Sequence, residues 1–174
     1  MRLGYKLFRR KNGKLYPLYV FANEEVPLRS LLFAKEGIKG KDDKHVKSKL
    51  GDLAYRPGWH ITTVPLADHI GIRQKNGKLY QAPDTVWCLV RYSDTVDYQQ
   101  KAFARGTNKH GKLIEREAFL DYIPRNGFYF YTTNPNASTP WVIAGEMEVI
   151  RELSHEEVIT ICEAHGYKAQ PLAI

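Results

Sequence analysis

The chain has 174 residues, of which 43% are hydrophobic and 26% are charged, and its formal net charge is +7. This length suits one domain, and the composition is typical of a folded globular protein and excludes an intrinsically disordered chain. No run approaches the roughly 18 consecutive apolar residues of a membrane span, and the amino terminus lacks the apolar segment of a secretory signal. We therefore expect one cytoplasmic domain over residues 1–174, with no membrane association.

The positive charge is concentrated near the amino terminus. Residues 1–50 contain 13 Lys or Arg and 5 Asp or Glu, a balance of +8, whereas residues 51–174 contain 13 and 14, a balance of −1. A one-sided basic region attracts phosphate groups or an acidic protein surface. A solvated loop would have the same composition, and for the Lys- and Gly-rich segment 37–49 we favour that interpretation.

A basic β-hairpin is predicted over residues 4–20. Apolar and polar residues alternate on both sides of Asn12 and Gly13, a pair that supplies the two positive-φ positions of a tight hairpin turn. The hexapeptide at 11–16 recurs at 75–80, which indicates a second use of the same turn. Residues 26–34 fit either a short helix or a strand, since their apolar spacing does not distinguish the two.

Later elements complete an α+β pattern with an antiparallel or mixed sheet. Strands are predicted at 59–62, 85–92, 128–131, 141–144 and 146–150. Short helices are predicted at 66–70 and 114–120. A carboxy-terminal helix begins at Ser154, which forms a capping box with Glu157, and ends at Gly166. Cys88 and Cys162 fit buried free thiols better than a disulfide or a metal site.

Polar residues cluster around one predicted strand. His60 and Thr62 would share a face of this strand, while Trp59 and Ile61 point to the other, because side chains alternate along a strand. Together with Arg56, such a face could bind ribose hydroxyls and phosphate. The alternative is that Trp59 and Ile61 lie in the core and that His60 and Thr62 are simply exposed.

A second pair of polar residues lies near the end of the chain. Glu146 and Glu148 are two apart in a predicted strand, so both carboxylates face one side. One could bind a ribose hydroxyl and stabilise a cationic sugar while the other orients a nucleophile. A solvated strand face is the simpler explanation of the spacing, and on spacing alone we favour it. Motifs for phosphate loops, dinucleotide folds, zinc catalysis and α/β-hydrolases are all missing, and we expect no metal.

The amino-terminal hairpin also suggests a nucleic-acid surface. Basic and aromatic residues interleave there, which is typical of a surface that stacks bases and neutralises phosphates. The basic residues of this candidate surface are Lys6, Arg10, Lys11 and Lys14. The aromatic residues are Tyr5, Phe8, Tyr16 and Tyr19. A half-buried hairpin produces the same alternation without any nucleic acid.

Several blocks of the sequence resemble parts of a known domain. They are residues 5–9, 55–60 with 65–71, 86–98, and 141–145. These blocks resemble an uncharacterised domain of large polyvalent phage proteins and prophage regions, from about Gly4 to Glu163. The resemblance implies an accessory role in a phage or another mobile element.

A looser resemblance concerns chemistry. The chain has a basic first strand, a Gly-aromatic-x-x-Thr strand followed by Pro-x-x-Ala, a central Val-rich strand and a late Glu-x-Glu strand. This order is similar to that of ADP-ribosyltransferase-like toxin and effector domains, which implies a split sheet and NAD as substrate. The residues that it implies for NAD binding are Arg9, His60 and Thr62, to which the polar face described above adds Arg56. The catalytic candidates that it implies are Glu148 and, beside it, Glu146.

Two functions of different classes follow. The first is an NAD-dependent ADP-ribosyltransferase-like protein that modifies a host target, in which Glu148→Ala would abolish NAD consumption without unfolding. The second is a non-catalytic basic module that binds nucleic acid or inhibits a host-defence protein, and binding to nucleic acid would weaken steeply with salt. A structural or packaging-associated phage protein is a third interpretation.

Overall fold

A computed structural model describes residues 1–37, 45–48, 51–54, 56–106, 110, 118–132 and 139–173. The strands of this part of the chain are β1 (Arg2–Lys11), β2 (Lys14–Tyr16), β3 (Leu31–Phe33), β4 (His45–Ser48), β5 (Gly51–Ala54), β6 (Trp59–Thr62), β7 (Ile72–Arg73), β8 (Leu79–Tyr80), β9 (Thr85–Tyr92), β10 (Val96–Asp97), β11 (Gly127–Tyr131), β12 (Trp141–Ala144) and β13 (Glu146–Glu152). The helices are α1 (Gln99–Arg105) and α2 (His155–Ala164).

Nine of these strands form the main sheet. Eight lie in the order β10-β11-β12-β6-β1-β9-β13-β3, and β2 pairs with the end of β1. The β10–β11 pair is parallel and the other pairs are antiparallel. Strands β4 and β5 form a separate two-stranded sheet, as do β7 and β8. The predicted α+β class with a mixed sheet is confirmed.

The main sheet has a narrow seam between β1 and β6. On one side β1 pairs with β9 along eight residues, from Arg2 to Arg9, but on the other it pairs with β6 only through Tyr5 and Thr62. Strands β10, β11, β12 and β6 therefore form a first half, and β1, β2, β9, β13 and β3 form a second half. At the seam, a Cβ on Gly4 would lie 2.5 Å from Ile61 Cγ2, so this close approach requires glycine.

The two halves share one apolar core on the face that we call the inner face. Buried side chains from both halves meet there, and they include Phe8, Cys88, Met147, Ile61 and Val142. Hydrophobic burial of this extent is the main source of folding free energy.

The opposite, outer face is covered separately in each half. Helix α2 packs on the second half, where Val158 and Cys162 contact Leu7 and Trp87. Helix α1 and the segment 118–120 pack on the first half, around a buried cluster that includes Ala102, Leu120, Tyr129, Tyr131 and Ile143. Each half is thus a sheet layer between the shared core and its own covering segment.

The elements with strong local signals are confirmed. Asn12 and Gly13 have φ of 53° and 74°, as the hairpin turn requires. Strand β9 has the predicted bounds. The capping box of α2 is complete, since Ser154 Oγ accepts from Glu157 N at 3.1 Å and Ser154 N donates to Glu157 Oε1 at 3.2 Å. Both cysteines are buried and free.

Several predicted elements need correction. The second hairpin strand ends at Tyr16, and residues 17–20 are not in a strand. Residues 45–48, within the predicted loop 37–49, form the strand β4, while segment 26–34, which fits a helix or a strand by sequence, contains the strand β3. Residues 66–70 form a turn and not a helix, closed by a bond from Ile70 N to Ala67 O at 3.0 Å.

Of the helix predicted at 114–120, residues 114–117 lie outside the described residues, and 118–120 are not helical. The structure instead has α1, which sequence reasoning missed. Its N-cap, Tyr98, makes no side-chain capping bond, so the sequence has no capping signal at this position.

Candidate functional site

The polar face of β6 is confirmed as predicted. Trp59 and Ile61 pack in the core, and His60 and Thr62 point to the outer face. Thr62 is buried, and its Oγ1 donates to Tyr5 O at 3.1 Å, so this hydroxyl stabilises the seam. The hydroxyl that the sequence predicts to bind a ligand is therefore hydrogen-bonded to the protein main chain.

Both ring nitrogens of His60 have partners. Nε2 lies 3.0 Å from Arg56 O, and Nδ1 lies 3.0 Å from Tyr131 Oη. A carbonyl can only accept, so Nε2 bears the proton and Nδ1 accepts from the tyrosine hydroxyl. Burial, with the nearby charge of Lys6 as a second cause, lowers the pKa of His60 to about 3. His60 is thus a neutral, hydrogen-bonded histidine.

Arg56 lies beside this histidine but points elsewhere. Its guanidinium lies 4.6 Å from the centre of the Tyr131 ring, and its Nε donates to Ala118 O at 3.4 Å. The structure therefore brings together Arg56, His60 and Thr62, three of the four residues predicted to bind NAD. Most of the polar groups of these three residues make contacts within the protein.

Arg9, the fourth of these residues, belongs to a different neighbourhood. Its Nη2 donates to Ala22 O at 2.6 Å, and its guanidinium lies 5.6 Å from the centre of the Tyr16 ring. Arg9 Nε is buried and has no hydrogen-bond partner among the described residues. These contacts attach the segment after β2 to β1.

The two glutamates share one face of β13, as predicted, but have different environments. Glu146 is 3% exposed, and its carboxylate accepts from Asn126 N at 2.9 and 3.2 Å. Because Asn126 has a φ of 58°, this carboxylate fixes a turn in the left-handed region. Glu148 forms an ion pair with Arg91, its direct partner on β9.

The structure does not bring the glutamates to the polar face of β6. Strands β1 and β9 lie between β6 and β13 in the sheet. Three strand spacings amount to about 14 Å, and Glu148 also lies two residues along the strands from the row of Thr62. A single substrate bond could not contact both sites directly.

Most of the basic residues predicted to bind nucleic acid also contact acceptors within the domain. Lys6 Nζ donates to His60 O at 2.8 Å, Arg10 pairs with Glu152 at 2.8 Å, and Lys14 lies 3.5 Å from a carboxylate oxygen of Glu25. Lys11 is exposed at the hairpin turn. Of the aromatic residues proposed for stacking, Phe8 is fully buried.

A surface that sequence reasoning missed lies on the second half of the sheet. Leu3, Leu31 and Phe33 are 64%, 49% and 60% exposed. The register places them on the same outer face as the Arg91–Glu148 pair, beyond the part that α2 covers. Leu3 lies three strands from Leu31, across the Arg91–Glu148 pair, so we call only Leu31 and Phe33, which are neighbours on β3, the apolar end of the sheet. Only the pairing of β3 with β13 reveals it, and no local pattern indicates that pairing.

A shallow cleft of about 290 Å³ lies at the start of α2. Its lining includes Arg10, Thr85, Gln81 and His155. Gln81 Oε1 and His155 Nδ1 have no partner in the described part of the chain, but both atoms are buried beneath the wall. The charged side chains that line the cleft are Asp84, which is exposed, and Arg10, which is paired with Glu152.

Comparisons with known proteins found no match for the chain. No family model, no curated protein and no solved structure matches it. Among the described residues, no helix is long and apolar enough to cross a membrane. The same residues contain no group of three or more His, Cys, Asp or Glu side chains that could hold a metal ion.

Proposed function

We propose that this domain is a non-catalytic binding module whose partner is a protein. One observation supports this most directly: the apolar end of the sheet is uncovered, although the rest of the outer face is packed under α1, α2 and the segments beside them. Exposed apolar patches on an otherwise well-covered fold mark interaction surfaces. Leu31 and Phe33 are the centre of the proposed contact.

The arrangement of the catalytic candidates favours binding over catalysis. His60 is neutral and bonded through both nitrogens, Glu146 fixes the Asn126 turn, and Glu148 is paired with Arg91. An ADP-ribosyltransferase-like enzyme would need these groups around one substrate. One observation supports this alternative. The seam divides the main sheet into two halves, and the resemblance to ADP-ribosyltransferase-like domains implies a split sheet.

The partner is better assigned to protein than to nucleic acid. Lys6, Arg10 and Lys14 each bind an acceptor within the domain, which reduces the number of charges available to phosphates. An apolar surface gains more from burial against another protein. In a phage or prophage, such a module would act by occupying a surface of a host protein, including a defence protein.

The proposal is tested with matched variants. A Leu31→Lys/Phe33→Lys double variant changes the apolar end, and an Ile72→Lys/Leu172→Lys variant changes two exposed apolar residues elsewhere. Host proteins retained by the wild type and the control, but not by the first variant, would be identified, purified and titrated by calorimetry. We expect micromolar or tighter binding, weakened at least tenfold by the first variant alone.

Two assays on the same preparations test the alternatives. Nicotinamide release from NAD, compared in the wild type and Glu148→Ala, should show no Glu148-dependent signal. Oligonucleotide binding should be absent at moderate salt. Release that depends on Glu148, or oligonucleotide binding that falls steeply with salt without any protein partner, would overturn the proposed function.

A further inference from the structure

Strand β3 is the last strand of the main sheet, and its outer edge has no partner among the described residues. We infer that β3 accepts an extended segment of the partner protein as an added strand, with apolar residues at alternate positions and acidic residues at both ends. This inference rests on the proposed function and specifies how the partner would bind. Strand addition of this kind combines main-chain hydrogen bonds with side-chain contacts on one face.

The main-chain groups of β3 are oriented for such pairing. Ala34 N donates to Gly145 O at 2.9 Å, and bonded pairs alternate along an antiparallel ladder, so Leu32 and Met147 form the bonded pair. The N–H and C=O groups of Leu31 and Phe33 therefore point away from β13.

An independent bond agrees with this alternation. Glu146, which lies opposite Phe33, accepts from Ser93 N with its main-chain oxygen at 3.3 Å, so that carbonyl points toward β9 and not toward β3. Unpaired main-chain groups at a sheet edge are a template for pairing with another chain. The free edge offers two residues with both a donor and an acceptor.

The side chains of the edge would add a one-sided apolar contact. Leu32 points to the inner face and packs against the core, whereas Leu31 and Phe33 project from the outer face. A partner strand with the same alternation would place its apolar residues beside these two and extend the apolar end of the sheet.

Two arginines at the ends of β3 indicate which charge the partner segment would have at its own ends. Arg29 precedes the strand, and Arg125 Nη1 donates to Ala34 O at 3.2 Å just beyond it. Neither guanidinium pairs with a carboxylate in the described part of the chain, whereas Lys35 is paired with Glu24. Acidic residues at both ends of the added segment would complement these arginines.

A second copy of this chain fits the edge less well. Antiparallel self-pairing centred on Leu32 would place Arg29 of each copy beside the Ala34–Lys35 end of the other, where Arg125 donates to Ala34 O and pairs with no carboxylate of the described residues. Like charges placed close together destabilise a pair of strands. The charge pattern therefore favours a different, acidic segment.

The test separates the edge from the face. Phe33→Pro removes an outward N–H and leaves the Leu32–Met147 pair in place, whereas Phe33→Val removes the aromatic ring and keeps the N–H. Twelve-residue peptides would be selected from a random display library on the wild type alone, so that their affinity for the variants remains an independent measurement. Urea unfolding would check that both variants fold, and Leu31→Pro is a second variant of the same design.

We expect selected peptides with alternating apolar residues and acidic ends. A synthetic peptide should slow amide exchange of Leu31 and Phe33 at least tenfold. Its affinity should fall at least tenfold in Phe33→Pro and less than about threefold in Phe33→Val, since the side-chain contact is a smaller part of the interaction. An Arg29→Glu/Arg125→Glu variant should weaken the same peptide.

Several results would overturn the inference. They are equal weakening by both Phe33 variants, unchanged exchange at the two amides, failure to select any peptide, and a dimer of this chain that Phe33→Pro dissociates. If a purified protein partner binds Phe33→Pro normally but not Leu31→Lys/Phe33→Lys, the edge inference fails while the proposed function stands. Glu148-dependent nicotinamide release would contradict the function itself.

Discussion

Lys6 Nζ donates to the main-chain oxygen of His60 at 2.8 Å, across the seam where β1 and β6 share one paired position. The same histidine binds Arg56 O and Tyr131 Oη through its ring. Two residues that the sequence indicates for phosphate or nucleotide binding are thus connected to each other. Their main contribution is to hold the halves of the sheet together.

Replacing Lys6 by methionine should change how stability depends on pH. Burial lowers the pKa of Lys6 from 10.5 to about 8, so the unfolded chain binds more protons between these values and stability rises with pH through this window. Lys6 remains partly exposed, and we expect this change to be about 1–3 kcal/mol.

The measurement is urea unfolding of the wild type and Lys6→Met between pH 7 and 10.5. Tyrosines titrate in the same range, but they are common to both proteins, so the difference in unfolding free energy isolates the lysine. The unfolding free energy of the wild type should rise relative to that of Lys6→Met as the pH rises from 7 to 10.5. A difference that stays constant across the range would contradict a desolvated lysine at this position.

Replacing His60 by glutamine should remove part of the acid sensitivity. With a folded pKa of about 3 against an ordinary 6.5, the unfolded state binds more protons between these values, so stability falls as the pH falls below 6.5. Between pH 6.5 and 3.5, the unfolding free energy of the wild type should fall by about 2–4 kcal/mol more than that of His60→Gln, a range that allows for partial exposure of the ring.

Glutamine keeps a donor for Arg56 O, so the variant should fold at neutral pH. Thermal unfolding monitored by circular dichroism at several pH values would measure the difference. The remaining histidines and the carboxylates are present in both proteins and cancel. Parallel pH profiles would show that His60 is protonated in the folded state, contrary to its hydrogen bonding.

The elements that the sequence predicts well are those that neighbouring residues determine. A tight turn needs positive φ at Asn12 and Gly13, a capping box needs Ser154 and Glu157 three residues apart, and β9 is rich in β-branched and aromatic residues. Each of these signals lies within a few residues. Strand β3 has no such signal and is fixed by its pairing with β13.

In the candidate site, too, the sequence predicts the features that neighbouring residues determine and not those that depend on strand order. Alternation predicts that His60 and Thr62 share a face, and the structure agrees. Arg56, one partner of the His60 ring, lies only four residues before it, but contact with the other partner, Tyr131, depends on the strand order β11-β12-β6 and not on local pattern. The separation of Glu148 from this face depends on the same order, which strand composition does not determine.

Replacing Gly4 by valine should weaken the seam. An added Cβ would lie 2.5 Å from Ile61 Cγ2 and 3.1 Å from Thr62 O, so β1 and β6 would have to move apart. Overpacking of this kind should lower the unfolding free energy by about 2–3 kcal/mol. Leu3→Val, at an exposed position of the same strand, is the control and should change it by less than about 0.5 kcal/mol. Equal effects of the two variants would mean that the seam is not closely packed.

The two neighbouring glutamates should respond differently to neutralisation. Glu146→Gln loses a charged acceptor for Asn126 N in a buried site, and we expect it to lower the unfolding free energy by about 1–3 kcal/mol. Glu148→Gln breaks a pair whose Arg91 side chain is about half exposed, so its effect should be below about 1 kcal/mol. Urea unfolding at pH 7 measures both, and an Asn126→Gly background, in which glycine adopts the left-handed turn without strain, should reduce the effect of Glu146→Gln. If Glu148→Gln proved the more damaging change, the turn would not be the role of Glu146. The stable Glu148 variant is also the one in which loss of any NAD turnover could be interpreted as chemistry and not as unfolding.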